Sequence, residues 1–115
     1  MARGDVLWIE LPNPQGGSGH EQAGRRPAVV VQADNPGSLS TIMIVPFTGQ
    51  LAAGRFPYTI QVDPSAENGL ASPSVLLVFQ LRAIDKRRIL QKAGTLEQKY
   101  VDRLDQMLLQ LLDIQ

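Results

Sequence analysis

Gly19-His20-Glu21-Gln22-Ala23-Gly24-Arg25-Arg26-Pro27-Ala28-Val29-Val30-Val31-Gln32-Ala33 holds the decisive transition in this chain: a polar, glycine-bounded segment ends in two arginines, and a proline opens a run of β-branched residues. Pro27 disfavours helical geometry at Arg26 and pushes it into extended backbone. Proline is also tolerated as the first residue of a strand, where its missing N–H costs least. Arg26 is therefore expected where loop becomes sheet, presenting a planar fork of donors suited to phosphate.

Upstream, Asp5 to Leu11 is a short apolar run between Gly4 and Pro12, and its length and β-branched content predict a strand buried on both faces. Residues 12–26 hold two prolines and four glycines and read as a long loop, a kind that inside compact domains is functional or mobile. Downstream, Ala28 to Gln32 is the second strand, and Asp34-Asn35-Pro36-Gly37 is a turn. Ser40 to Val45 reads as a third strand ended by Pro46, Tyr58 to Val62 as a half-buried fourth, and Ser74 to Leu81 as a fifth. Ile84 to Ile89 suits one helical turn, and Leu90 to Gly94 a short strand.

Thr95-Leu96-Glu97-Gln98 has the pattern of a capping box, with Thr95 as N-cap of the one clear helix. Val101, Leu104, Leu108 and Leu111 follow at helical period, with Tyr100, Met107 and Ile114 beside them. Leu109 and Leu112 widen that stripe. Packing on the sheet is one use for it, and a homodimer interface is a second. Short strands, irregular loops and one terminal helix predict a mainly β fold, a small twisted barrel with a helical plug.

Composition narrows the function. At 115 residues the chain is expected to be one domain, and 43% hydrophobic against 19% charged residues suits a packed globule. No cysteine excludes disulfides, and one histidine without cysteine excludes the usual zinc clusters. Any metal would need oxygen ligands alone. The start, Met-Ala-Arg-Gly-Asp, lacks an apolar signal region, and no apolar run reaches membrane length, so a soluble cytoplasmic protein is expected. The formal net charge is zero, a weak footprint for gripping long nucleic acid. Yet residues 82–92 carry five basic side chains against one acidic, a local +4, while residues 95–115 carry −2. That segregation fits a basic contact surface and an ordinary solvated face alike.

Several pieces now stand in order: Arg3-Gly4-Asp5-Val6 with Trp8, then Glu21-Gln22-Ala23-Gly24-Arg25-Arg26-Pro27 and its valines. Val45-Pro46-Phe47-Thr48-Gly49-Gln50, Ser74-Val75, Gln80-Leu81-Arg82-Ala83-Ile84-Asp85-Lys86-Arg87-Arg88 and Gly94-Thr95-Leu96 follow. The ordered set resembles the MazF/PemK family of bacterial toxins, metal-independent endoribonucleases without a cofactor. The resemblance implies an SH3-like barrel, a homodimer, cleavage of single-stranded RNA, and a cognate antitoxin whose extended C-terminal segment blocks the site. DNA would be met only indirectly, through the antitoxin. By position, the family's catalytic arginine falls on Arg26 and its catalytic threonine on Thr48. His20 stands where relatives usually have serine, and Phe79 where many have an acidic residue. A CcdB-like gyrase inhibitor and a non-catalytic RNA- or peptide-binding barrel are the rival readings.

RNA carries its own nucleophile, so a protein need only align the 2′-hydroxyl, stabilise the phosphorane oxygens and help the 5′-oxygen leave. Arg26 offers parallel N–H donors and Thr48 a hydroxyl. Arginine is a poor proton acceptor, with a pKa above about 12, which leaves room for a proton carrier. His20 alone has an unperturbed pKa suited to that task; a loop histidine that contacts RNA or solvent is the plainer reading. Glu21 and Gln22 are candidate substrate contacts beside it, Glu21 either orienting an arginine or pairing with a base edge. Arg25 is a phosphate-steering charge, Gln80 a base-edge reader or a backbone bridge, and Arg82, Lys86 and Arg87 backbone-phosphate contacts. Phe56 either stacks a base or is buried in the barrel. A proton-transfer role for His20 predicts that His20→Ala slows RNA cutting and alters its pH–rate profile; an unchanged rate and profile removes the role.

Overall fold

The computed structural model describes residues 1–12, 24–33 and 39–114. His20, Glu21, Gln22 and the turn expected at 34–37 lie outside them. The described residues form seven strands: β1 Asp5–Leu11, β2 Gly24–Val30, β3 Thr41–Thr48, β4 Thr59–Val62, β5 Ser74–Leu77, β6 Arg82–Asp85 and β7 Ile89–Thr95. One helix, α1, spans Gln98–Leu111, and short 3-10 turns occupy Leu51–Arg55, Val78–Gln80 and Lys86–Arg88. The strand order is β4-β5-β3-β2-β1-β7, with β6 also on β3. Among the described residues the chain is a mainly β protein with one C-terminal helix.

The central strands carry continuous apolar runs because both their faces are covered. Alternate residues diverge into two cores. Val6, Val29, Val45 and Phe47 join Ile60, Val62, Leu76 and Val78 in the first, which α1 covers with Tyr100 and Leu104. Leu7, Ile9, Leu11, Ala28, Val30, Ile42, Ile44 and Ile84 form the second. Because β6 lies on β3, β7 lies on β1, and only Lys86–Arg88 separates β6 from β7, the strand path curls around this second core. β1 is buried on both faces only at its start; further along, Trp8 is half-buried and Glu10 exposed.

Strand boundaries depart from expectation where proline was read as punctuation. β2 begins at Gly24, three residues before Pro27, so Arg25 and Arg26 are strand residues paired with Glu10 and Ile9. β3 runs through Pro46 to Thr48. On one edge β3 pairs with β6 over Thr41–Ile44 and with β5 over Phe47–Thr48, so Pro46 falls between two partners. On the other edge it pairs with β2, and that ladder ends at Ala28–Pro46. The next opposed pair would be Pro27 and Phe47, and Pro27 brings no N–H. Two prolines thus coincide with the place where the sheet divides.

The expected fifth strand also breaks. Val78–Gln80 leaves β5 as a 3-10 turn, which releases the chain to re-pair as β6. Ile84 and Asp85 are consequently strand residues, and the turn near them is confined to Lys86–Arg88.

The helix start is a second correction. Thr95 closes β7, donating its N–H to the Glu67 carbonyl at 2.8 Å, and Glu97 holds the N-cap position without a side-chain cap bond. The Glu97 carboxylate instead accepts from Asn68 Nδ2 at 3.0 Å and Ser65 Oγ at 3.1 Å. Asn68 is fully buried, and its side chain also donates to the Asp63 carbonyl and accepts from the Ser65 and Leu70 N–H groups. Gly69 and Gly94 interlock this loop with β7. A Cβ on Gly69 would meet the Ala93 carbonyl at 2.1 Å, and one on Gly94 the Glu67 carbonyl at 2.3 Å.

Along α1, Tyr100 and Leu104 are buried, Val101, Met107, Leu108 and Leu111 pack partly on the first core, and Leu109 is about half exposed, as are Leu112 and Ile114 just past the helix. Arg3 fastens the helix from below: its Nε donates to the Val31 carbonyl at 3.0 Å and its Nη2 meets Asp105 at 2.7 Å.

Removing the Asn68 side chain leaves several buried polar groups unsatisfied. Asn68→Ala is expected to lower the unfolding free energy by about 2–4 kcal/mol, measured by urea titration.

Candidate active site

Where β2 and β3 part, a cleft opens. Its walls are Trp8 from β1, Arg25, Arg26 and Pro27 from β2, Phe47 to Gln50 from the end of β3, and Leu70, Ala71, Ser72 and Ser74 ahead of β5. The cleft encloses about 360 Å³. The β2–β3 register accounts for its centre: Val30 faces Ile44, Val29 faces Val45 and Ala28 faces Pro46. Continued for two more residues, the same register sets Arg26 opposite Thr48.

The strands do not pair there; side chains span the opening instead. Arg26 Nη1 donates to the Phe47 carbonyl at 3.2 Å, one residue from Thr48. A guanidinium has five N–H donors, so this bond orients the fork without exhausting it. Partial burial removes water from the group and lowers its pKa from the ordinary arginine value, yet it remains a cation at neutral pH. Thr48 is only 6% exposed, and its Oγ1 accepts the Gln50 N–H at 3.2 Å. That bond uses an oxygen lone pair, which leaves the hydroxyl proton for another acceptor. One fixed cation and one positioned hydroxyl therefore line one cleft, an arrangement suited to a phosphodiester.

The wall at Leu70–Ser74 is held by the loop described above, since Asn68 accepts the Leu70 N–H and Ser74 Oγ donates to the Ser72 carbonyl. Strong local geometry keeps this wall in place although it is not itself a strand before Ser74.

The other expected contacts disperse. Arg25 lines the cleft, is largely exposed and lies 3.8 Å from Glu10. Phe56 sits outside the cleft, half-buried edge-to-face with Phe79 at 5.9 Å and beneath the Arg55 guanidinium at 5.0 Å. Gln80 ends a 3-10 turn, not a strand. Arg82 opens β6 opposite Ile44, four residues along β3 from Thr48, or about 13 Å. Lys86 and Arg87 belong to the turn after β6. Arg87 has a structural task there: its backbone N–H and its guanidinium both bond Asp85, at 2.8–3.1 Å.

Trp8, Gln50, Ser72 and Ser74 line the cleft without having been singled out for it. For Trp8 a signal existed: Leu7, Ile9 and Leu11 alternate into one core, so Trp8 belongs to the opposite face.

A family model described as "PemK-like, MazF-like toxin of type II toxin-antitoxin system" matches residues 2–112. The chain belongs to this family. It is 35% identical over 109 residues to "Endoribonuclease EndoA" of Bacillus subtilis, covering 94% of this chain and 90% of that protein. It is 34% identical over 100 residues to "Endoribonuclease MazF" of Staphylococcus saprophyticus, covering 86% and 80%. In structure it resembles MazF from Deinococcus radiodurans, with a TM-score of 0.78 at 23% identity over 99% of this chain and 97% of that one. A mycobacterial endoribonuclease solved in complex with its cognate antitoxin superposes with a TM-score of 0.74 at 15% identity, covering 100% and 97%. These superpositions share the whole fold, the strands that hold Arg26 and Thr48 included. The PemK/MazF chain described here thus combines a toxin-family sequence with a cleft built on those two residues. Among the described residues, no helix is long and apolar enough to cross a membrane.

The Arg87 bonds, with its side chain first and backbone N–H second, hold the Asp85 carboxyl down to about 2. A group lowered in the folded state stabilises above the ordinary carboxylate value of about 4 and loses that effect as pH falls towards 2. Carboxyl-detected NMR should show Asp85 titrating near 2, and Arg87→Ala should return it upward.

Proposed function

We propose that this chain is the toxin of a type II toxin–antitoxin pair and cuts single-stranded RNA in the Arg26–Thr48 cleft without a metal ion. What supports this reading is one cleft, at the open end of the β2–β3 ladder, lined by both a half-buried guanidinium and a positioned hydroxyl. Family membership and the two relatives named endoribonucleases support it.

In the reaction, the 2′-oxygen loses its proton and attacks the adjacent phosphorus. The O2′–P bond forms, the P–O5′ bond breaks, and the 5′-oxygen takes up a proton. The ends are a 2′,3′-cyclic phosphate and a 5′-hydroxyl. Arg26 places N–H donors on the non-bridging oxygens as negative charge gathers there, and Thr48 donates to the same group. Arg26 works as a fixed charge, because its pKa is too high for a base. Proton transfer is assigned to another group, with His20 the candidate; Glu21, Gln22 and Arg25 hold the RNA near it. Phe56, Gln80, Arg82, Lys86 and Arg87 serve as outlying contacts for a longer strand.

The curled path β7-β1-β2-β3-β6 corresponds, on this reading, to an SH3-like barrel, and two copies assemble as a homodimer. An antitoxin's extended segment competes with RNA for the cleft, a partner for which the solved antitoxin complexes of structural relatives give precedent. DNA is reached only through that antitoxin, and the site of action is the cytoplasm.

Incubation with a long RNA in EDTA should yield cyclic-phosphate and 5′-hydroxyl ends, and deoxyribose at the cut should block cleavage. Arg26→Ala and Thr48→Ala should each lower kcat by about 10²–10³. Gyrase inhibition without loss of RNA would overturn the reading in favour of a CcdB-like activity.

A further inference from the structure

A second cavity adjoins the cleft on the other side of Trp8. Trp8, Arg25, Leu90 and Gln91 line it, and it encloses about 420 Å³, within the range of about 300–1,000 Å³ usual for small-ligand sites. Trp8 and Arg25 line both spaces, so the two share a wall.

A bulge builds this cavity. Trp8 faces Gln91 and Ile9 faces Ile89, so Leu90 is an extra residue in β7 with no partner in β1. Bulges turn a side chain away from its regular direction and recur beside active sites. Leu90 is 45% exposed, unusual for a leucine inside a strand flanked by a packed core. Gln91, directly across from Trp8, is exposed as well. On its other side Trp8 faces Pro27, the neighbour of Arg26. One row across the sheet therefore leads from the cleft centre through Trp8 to Gln91.

The lining combines a broad aromatic face, an aliphatic wall, a primary amide with donor and acceptor, and a cation. An unstacked nucleobase needs those four things: a π-surface to stack on, an apolar edge, a hydrogen-bonding partner for its edge, and neutralisation of its phosphate. We propose that the Trp8–Leu90–Gln91 cavity is a nucleobase subsite for the nucleotide next to the cut, with Trp8 stacking the base and Gln91 reading its edge. The proposal rests on the RNA-cleavage reading and adds where selectivity among bases arises. Arg25 contacts the phosphate on that side, displacing its long and exposed approach to Glu10.

Trp8 is the only tryptophan of the chain, so its fluorescence reports on the wall between the cavity and the cleft, and the abasic series and Gln91→Ala separate the two. The intact chain is titrated with an oligoribonucleotide of a cleaved sequence, made uncleavable by deoxyribose at the cut. A set in which single positions are abasic follows, with anisotropy measuring affinity independently. Trp8 should be quenched with the same Kd that anisotropy gives. One abasic position beside the cut should abolish the quench and weaken binding about 10-fold. Gln91→Ala should change the order of cleavage rates among the four bases at that position, and Trp8→Phe should retain most of the affinity. RNA cut normally with no fluorescence response, and with base preference unchanged in Gln91→Ala, would overturn the subsite while leaving the cleavage reading intact. Failure of the intact chain to cut or bind any RNA would overturn both.

Discussion

The structure depends on how far β2 and β3 stay paired. Hydrogen bonding would run the ladder on towards Gly24 and Gln50, closing the sheet and covering Arg26. Two prolines oppose this, Pro46 in the last pair and Pro27 one step beyond it. Beyond them β2 keeps only β1 as a partner and β3 keeps only β5, on its far edge, so the edges that β2 and β3 turn to each other are unpaired. The loss of a few backbone bonds creates a cleft lined by both a cation and a hydroxyl. What would be a fault in an ordinary sheet becomes the place where those two side chains are brought together.

A gap in a sheet collapses unless its far side is braced. Here the brace is the loop 63–72, held by the buried Asn68 and by two glycines that admit backbone of β7 at a distance no side chain allows. Glu97 links that loop to the start of α1, and α1 covers the first core. Cleft, loop, edge strand and helix are thus one mechanical unit. Most of the motif residues at the chain ends belong to this bracing: Arg3 ties the helix to Val31, Gly94 accommodates the loop, and Thr95 bonds Glu67.

Much of this was legible in the residues. The apolar run at 5–11 and the helical stripe from Tyr100 to Leu111 follow from patterns that local chemistry sets, whereas the pairing of Arg26 with Thr48 came only from the resemblance to the MazF/PemK family. Proline misled because its usual meaning is positional: Pro27 and Pro46 read as a beginning and an end, yet both lie inside strands whose neighbours do not use their missing donors. The Thr95 capping box failed because sheet pairing claims Thr95, and Gln98, the residue expected to reach back to it, donates to Asp102 instead. Nothing local in Val75–Gln80 announces the turn that splits the run, since both halves are apolar and only their partners on β3 differ. Trp8 escaped notice as a wall of the cleft because a tryptophan among aliphatic residues reads as core until alternation is counted against a known partner strand.

The register itself has a consequence for how such chains can diversify. Val31 donates to the Met43 carbonyl and Gln32 accepts the Met43 N–H, so the register is held one step past Val30 as well. Between Arg26 and Val30, or between Ile44 and Thr48, a single inserted or deleted residue would turn every following side chain to the other face. Thr48 would then confront Pro27 or Arg25. Natural drift in length should therefore fall outside those two five-residue segments, which keep an unvarying count whatever their identities become.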